Sequence, residues 1–194
     1  MSLSSIYRYN MFSKSKPAKM ATIEIQTQNY QLLLLRPEMV TDAWVSWVSN
    51  SALMRQVNAR PRKATKADVQ NFMLDAMAKQ RAMIGVFTRP QGAHVGICEI
   101  LFDQNHRNMN LEILIDFKVY NFNAVMDEIL PPLLTELKSR FGAEKAAIVA
   151  PETYKIMLAY LAESAWHREG LLRAELPHAT ENRRINSVQF GLIL

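Results

Sequence analysis

The segment from Asn110 to Ser164 constrains the fold of this chain more than any other part of the sequence. Asn110–Phe117 is a strongly apolar run, and Ala124–Arg140 repeats apolar residues at helical spacing. Lys145–Ala150 is a second short apolar run, and Thr153–Ser164 returns to the helical pattern. The segment therefore predicts a strand–helix–strand–helix unit. Its two strands are expected to be parallel neighbours, because a short strand–helix–strand connection returns to the same sheet in a right-handed sense.

The flanking sequence adds further strands and helices to this unit. The predicted strands are Thr22–Gln26, Tyr30–Arg36, Ala82–Phe87, Val95–Phe102, Trp166–Leu176 and Ser187–Leu194, and the predicted helices run from Thr41 through Asn50 and onward from Thr65. Three consecutive hairpin-linked strands that lead into a crossover helix are typical of a mixed sheet. The sequence therefore predicts an α/β fold, with a mixed central sheet and helices on both faces.

Composition limits the class of protein. At 194 residues, with 49% apolar and 21% charged residues, one globular domain is expected. The apolar runs fall far short of the roughly 20 residues of a membrane-spanning helix. Cys98 is the single cysteine, which excludes an internal disulfide and favours a cytoplasmic location. The histidines lack metal-ligand spacing, so no metal site is expected.

Residues 1–20 carry most of the net charge of +5, through Arg8, Lys14, Lys16 and Lys19 without any acid. They lack apolar periodicity, which predicts a basic flexible arm ahead of a domain at residues 21–194. A transit peptide, an upstream start codon ahead of Met20, and an arm that touches a protein partner or another subunit remain open alternatives. Because the basic excess lies outside the folded body, nucleic-acid binding is not indicated.

Several short motifs occur in a fixed order along the chain. They are Leu35-Arg36-Pro37, Thr41-Asp42-Ala43, Val95-Gly96-Ile97, Leu111-Glu112-Ile113, Phe141-Gly142, Trp166-His167-Arg168-Glu169-Gly170 and Ser187-Val188-Gln189-Phe190. In this order and spacing they resemble the GNAT superfamily of acetyl-CoA-dependent N-acyltransferases. The branch that acetylates ribosomal-protein N-termini is the most similar. The resemblance implies a GNAT-like fold, acetyl-CoA as co-substrate, and an amine acceptor that is a small molecule or a protein N-terminus.

The resemblance also implies a donor site at the first strand-to-helix turn. By position, the residues that would hold acetyl-CoA are Ile115, Phe117, Val119, Asn121, Asn123, Ala124 and Tyr154. The family motif Gln/Arg-x-x-Gly-x-Gly/Ala is degenerate here, because Val119–Ala124 contains no glycine. Tyr154 and Met157 also replace the asparagine and serine that are usual in the family.

Two outcomes are expected for this loop. If Asn121 and Asn123 adopt left-handed conformations, their N–H groups can still face a phosphate. If Tyr120 and Phe122 fold inward, they fill the channel between the strands. We expect retained but weakened binding, because the rest of the family pattern is intact.

Glu112 is the candidate catalytic base, because it lies within an apolar strand where desolvation would raise its pKa. Glu99 is a second acid in an apolar strand and could face Glu112 across the sheet; surface or ion-paired acids are the alternative interpretation. The predicted function is an acyl-CoA-dependent N-acetyltransferase. The alternative is a catalytically eroded GNAT-fold binding or structural protein, for example a phage virion component located in the virion.

Overall fold

The computed structural model describes residues 23–194, in which the apolar runs form the strands of an eight-stranded mixed sheet. The strands are β1 Glu24–Gln26, β2 Tyr30–Leu34, β3 Arg81–Thr88, β4 His94–Asp103, β5 Asn108–Ile115, β6 Lys145–Pro151, β7 His167–Pro177 and β8 Arg184–Ile193. Their order across the sheet is β1-β2-β3-β4-β5-β6-β8-β7. Neighbouring strands are antiparallel except β5 and β6, which are parallel.

Helices cover both faces of this sheet, which confirms the predicted fold class. They are α1 Asp42–Ser49, α2 Ser51–Gln56, α3 Lys66–Ala78, α4 Phe122–Phe141 and α5 Lys155–Glu163, with a short 3-10 turn at Pro37–Met39. One buried cluster contains Trp47 and Met73 from α1 and α3. The other contains Leu133 from α4 and Leu161 from α5. The sheet therefore separates two apolar cores.

The predicted parallel pairing of β5 and β6 through α4 is confirmed, but the pairing is short. It joins Asn108–Asn110 on β5 to Lys145–Ala147 on β6. Beyond this point β5 continues to Ile115 and β6 to Pro151, and no further pairing between them occurs within the described chain. The two strands therefore diverge and leave a gap in the middle of the sheet.

Predicted helix boundaries differ from the observed ones by one or two residues. The helix expected through Asn50 ends at Ser49, and Asn50 caps a separate helix, α2, by accepting hydrogen bonds from Ala52 and Leu53 N–H. The central helix begins at Phe122 rather than Ala124, because Asn121 Oδ1 accepts from the Ala124 N–H and caps it there. The loop expected over 118–123 therefore lies two residues earlier, at 116–121, with the same length of six residues.

The predicted arm at residues 1–20 lies outside the described residues, so the division into arm and domain stays a prediction. Within residues 23–194, no helix is long and apolar enough to cross a membrane. The same residues bring no group of three or more His, Cys, Asp or Glu side chains together as a metal site.

His94 is a buried histidine whose neutral form the fold requires. Its Nε2 lies 3.1 Å from the Gly96 carbonyl, which fixes the proton on Nε2, and Nδ1 then accepts from the Thr41 hydroxyl at 2.7 Å. Its ring stacks on Phe87 with centroids 4.5 Å apart. Burial lowers the pKa of His94 from 6.5 to about 4, because the cation would lose its hydration.

We expect this histidine to make stability fall as pH drops from 6.5 towards 4. In that window the unfolded chain binds a proton that the folded chain resists, with a total effect of about 3 kcal/mol. Urea unfolding at pH 7, 5.5 and 4.5 measures it, and His94→Gln is the comparison because glutamine does not titrate. Parallel stability curves for the two proteins would contradict the assignment.

Candidate functional site

Two glutamates face each other at the centre of the sheet. In the antiparallel register of β4 and β5, Glu99 lies directly opposite Glu112. Arg81, at the start of β3, places its Nη1 2.5 Å from Glu99 Oε1 and 3.8 Å from Glu112 Oε1. The side chains of Arg81 and Glu99 are 10% and 6% exposed, whereas that of Glu112 is 27% exposed. The Arg81 guanidinium therefore lies near both carboxylates and forms the closer ion pair with Glu99.

This arrangement sets the protonation of Glu112. Burial is the largest cause that raises its pKa, from 4.5 to about 8; the negative charge of Glu99 also raises it, and Arg81 partly opposes both. A carboxyl group with such a pKa exchanges protons near neutral pH, which is the property required of a general base. Glu99 Oε2, in contrast, is buried without a hydrogen-bond partner among the described residues.

Both glutamates line a cavity of about 770 Å³. Trp44, Trp47, Met54 and Phe72 contribute from the face of the sheet that α1, α2 and α3 cover. Ile113 on β5, with Ile148 and Ala150 on β6, lies at the gap, and Tyr154 and Met157 lie beyond it. The cavity therefore extends from the helical face into the gap between the diverging strands, and its volume is within the usual range for a small-molecule site.

Tyr154 occupies the far side of that gap. Its hydroxyl donates a hydrogen bond to the Ile113 carbonyl at 3.0 Å, and its ring meets Phe122 edge-on at a centroid distance of 6.1 Å. Burial raises the pKa of Tyr154, so the phenol stays a neutral donor. Tyr154 therefore engages a β5 carbonyl at the point where β6 has moved away.

Three amides of the loop between β5 and α4 are used internally. Asp116 accepts backbone hydrogen bonds from Lys118, Val119 and Tyr120, the first through its carboxylate and the other two through its carbonyl. Its carboxylate also accepts from Trp47 Nε1 at 3.0 Å. The Asp116 carboxylate therefore opposes a phosphate here, whereas the Phe122 and Asn123 N–H groups at the start of α4 have no acceptor among the described residues.

The residues predicted to hold acetyl-CoA differ in the exposure of their side chains. Ile115 is fully buried in the core, Val119 is 70% exposed, and Asn123 and Ala124 lie on the exposed side of the first turn of α4. Phe117 is partly buried against both core clusters.

Of the two outcomes expected for this loop, the left-handed conformation of Asn121 and Asn123 does not occur. Asn121 has φ of −70° and caps α4, and Asn123 lies within the helix. Phe122 instead points inward and is 2% exposed, because the rings of Tyr154 and Tyr160 give it apolar partners.

Sequence reasoning missed Arg81, the hydroxyl of Tyr154 and the loop-organising role of Asp116. Arg81 opens an otherwise apolar strand, which is the one signal that could have singled it out. The other two contacts join parts of the chain that no local pattern connects.

The diverging parallel strands, the crossover helix between them and the helices on both faces define the class of fold. The described chain has the GNAT acetyltransferase fold. Among solved structures it is similar to a GNAT-family acetyltransferase from Bacillus anthracis, with 13% identity and a TM-score of 0.72 over 88% of this chain and 98% of that one.

Two other similar structures have named acceptors. One is the spermidine N-acetyltransferase from Vibrio cholerae in complex with CoA and spermine, with 13% identity and a TM-score of 0.69 over 84% of this chain and 95% of that one. The other is RimL, a ribosomal L7/L12 alpha-N-protein acetyltransferase, with 13% identity and a TM-score of 0.72 over 93% and 99%. No family model matches the sequence, and no curated protein sequence matches it. At such identity the likeness concerns the fold.

Proposed function

We propose that this chain is an acyl-CoA-dependent N-acetyltransferase that acts on an amine. The observation that carries the proposal is Glu112, whose pKa is raised to about 8 and which lines a cavity that reaches the gap between β5 and β6. An amine arrives at neutral pH as an ammonium ion and cannot attack a thioester until it loses a proton. Glu112 in its ionised form is the group placed to take that proton, and Glu99 is the second carboxylate of the acceptor side.

The residues of this chain supply the acceptor half of such a reaction. Ionised Glu112 accepts one proton from the bound ammonium, which leaves a neutral amine with a free lone pair. Arg81 keeps Glu99 charge-compensated at 2.5 Å, so that Glu112 is the carboxylate with a protonation state near balance. The transfer itself would consume one acetyl-CoA and release CoA. The gap is the space that the donor would need.

The donor half of the site, which is the loop after β5 together with Phe122 and Tyr154, favours a second function. Tyr154 engages the Ile113 carbonyl, Phe122 is buried, and Asp116 accepts from three loop amides while adding a negative charge. Each feature opposes an extended donor with a pyrophosphate. They support a binding or structural protein that keeps the GNAT fold and its amine site but does not use acetyl-CoA, either in the cytoplasm or in a virion.

Acetyl-CoA titration of the native protein and of Tyr154→Asn separates the two functions. For the acetyltransferase we expect native affinity in the micromolar range and less than about a tenfold change in the variant. A change of that size means that displacing Tyr154 from the gap costs the native protein less than about 1.4 kcal/mol of binding free energy. For the binding protein we expect no native binding, and affinity that appears or rises sharply once the phenol is removed. Calorimetry provides the measurement.

Tyr154→Phe is the matched control, since it keeps the ring and removes only the hydroxyl. It should behave as the native protein if bulk closes the gap, and as Tyr154→Asn if the hydrogen bond to Ile113 closes it. Tyr154 is 3% exposed, so Tyr154→Asn is expected to cost about 3–5 kcal/mol of folding stability, and thermal unfolding should show that each variant is folded before the titration.

A further inference from the structure

Glu99 and Glu112, opposite each other on β4 and β5, form the acidic part of the lining of the cavity of about 770 Å³. Asn58, Arg60, Arg62 and His178 also line it. Trp44, Met54, Phe72 and Met83 contribute apolar surface elsewhere in the lining. A ligand that matches this lining has one hydrogen-bonding group at its end and an apolar body.

Glu112 identifies the chemistry of that group. Its side chain is 27% exposed and lines the cavity, whereas Glu99 Oε2 has almost no accessible surface and is closed to a ligand. Carboxylate oxygens accept only, which makes the complementary group a donor such as an ammonium.

The charge balance limits the ligand to a single positive charge. When both glutamates are ionised, Arg81 compensates one of them and one negative charge remains. No other carboxylate lines the cavity within residues 23–194, and the remaining charged lining residues are the cations Arg60 and Arg62. A second or third ammonium on the same ligand would find no counter-ion and would meet like charge.

We infer that the cavity binds a primary amine with one positive charge and an apolar body, whose ammonium donates to Glu112 beside Glu99, and that it excludes polyamines. The inference deepens the acceptor half of the proposed function. It does not require acetyl-CoA, so it also holds if the chain is a binding protein.

Calorimetry without acetyl-CoA tests this inference with three ligands, which separate the contribution of the apolar body to affinity from that of the positive charge. 2-Phenylethylamine should bind, whereas 2-phenylethanol, which has the same body without the cation, should bind at least about tenfold more weakly. Spermidine should also bind at least about tenfold more weakly. Equal or tighter binding of spermidine, or no binding of 2-phenylethylamine at millimolar concentration, would overturn the inference.

Variants tie the binding to the two carboxylates. Glu112→Gln and Glu99→Gln should each weaken 2-phenylethylamine by about tenfold or more, while Glu163→Gln, on the exposed side of α5, should leave it unchanged. If Glu99→Gln does not fold, Glu112→Gln still decides the outcome, because its side chain is more exposed. Unchanged affinity in Glu112→Gln would overturn the inference.

The pH dependence offers an independent readout. The charged groups that face Glu112 are Glu99 on β4 and Arg81 on β3. Since the ammonium requires ionised Glu112, affinity should rise about tenfold per pH unit below pH 8 and level off above it.

A short peptide amide with N-terminal phenylalanine identifies the source of the amine: tighter binding than 2-phenylethylamine supports a protein N-terminus, and weaker binding supports a small molecule. Absent turnover with retained amine binding would refute the acetyltransferase and leave this inference intact.

Discussion

Replacing Glu112 with glutamine is expected to lower acetylation of an amine by about 10²–10⁴-fold, while acetyl-CoA affinity changes little. A positioned base contributes this much to the rate and nothing to donor binding. Glutamine keeps the size and hydrogen-bonding ability of the side chain but cannot accept a proton. Steady-state turnover gives the rate and calorimetry gives the donor affinity, with Glu163→Gln as the control for an exposed carboxylate.

A stability measurement on the same variant shows whether the carboxyl group titrates as the structure implies. The folded chain holds Glu112 protonated up to about pH 8, whereas the unfolded chain releases that proton near 4.5. Native stability is therefore lost as pH rises through this window, by up to about 1.4 kcal/mol per pH unit. Glu112→Gln should become progressively more stable than the native protein between pH 5 and 8. If turnover is near normal and the stability difference between the variant and the native protein does not change with pH, Glu112 is not the catalytic base.

Replacing Arg81 with methionine is expected to destabilise the protein by about 3–5 kcal/mol. Arg81 is the buried counter-ion of Glu99, and its loss leaves a carboxylate that is 6% exposed next to Glu112 without compensation. Methionine keeps the apolar length of the side chain and removes the charge. Urea unfolding at pH 7 measures the loss.

The matched control is Lys79→Met, which removes a cation from an exposed pair. Lys79 lies 2.6 Å from Asp75 on α3, but both side chains are about half exposed, so its removal should cost less than about 0.5 kcal/mol. The double change Arg81→Met with Glu99→Leu should recover part of the loss, since it removes the stranded charge. Equal stability of Arg81→Met and Lys79→Met would show that Glu99 does not depend on Arg81.

Local pattern was sufficient for much of the fold. The apolar periodicity of 110–164 predicted β5, α4 and β6 and their parallel order, because side-chain direction repeats every two residues in a strand and every 3.6 in a helix. The same reasoning identified two acids in apolar strands, Glu99 and Glu112, which the register places opposite each other. The helical pattern of Ala124–Arg140 ends close to the end of α4, where Gly142 has φ of 66°.

The state of the donor half depended on tertiary contacts. The sequence left two outcomes of similar free energy for Phe122. Either the loop before α4 binds a phosphate, or the Phe122 ring turns inward and is buried. The choice required the rings of Tyr154 and Tyr160, which reach Phe122 from α5 and its first turn. Sequence periodicity shows that a residue is apolar but does not identify the side chain that it will meet.

The sequence by itself therefore determined the α/β fold and the strands that carry the two acids. Tertiary structure alone decided that Arg81 compensates Glu99 and that Tyr154 reaches across the gap to Ile113, 41 positions away. The physical reason is that a single strand specifies which face each side chain occupies, whereas pairing charges and filling a gap depend on distances between strands that are remote in sequence.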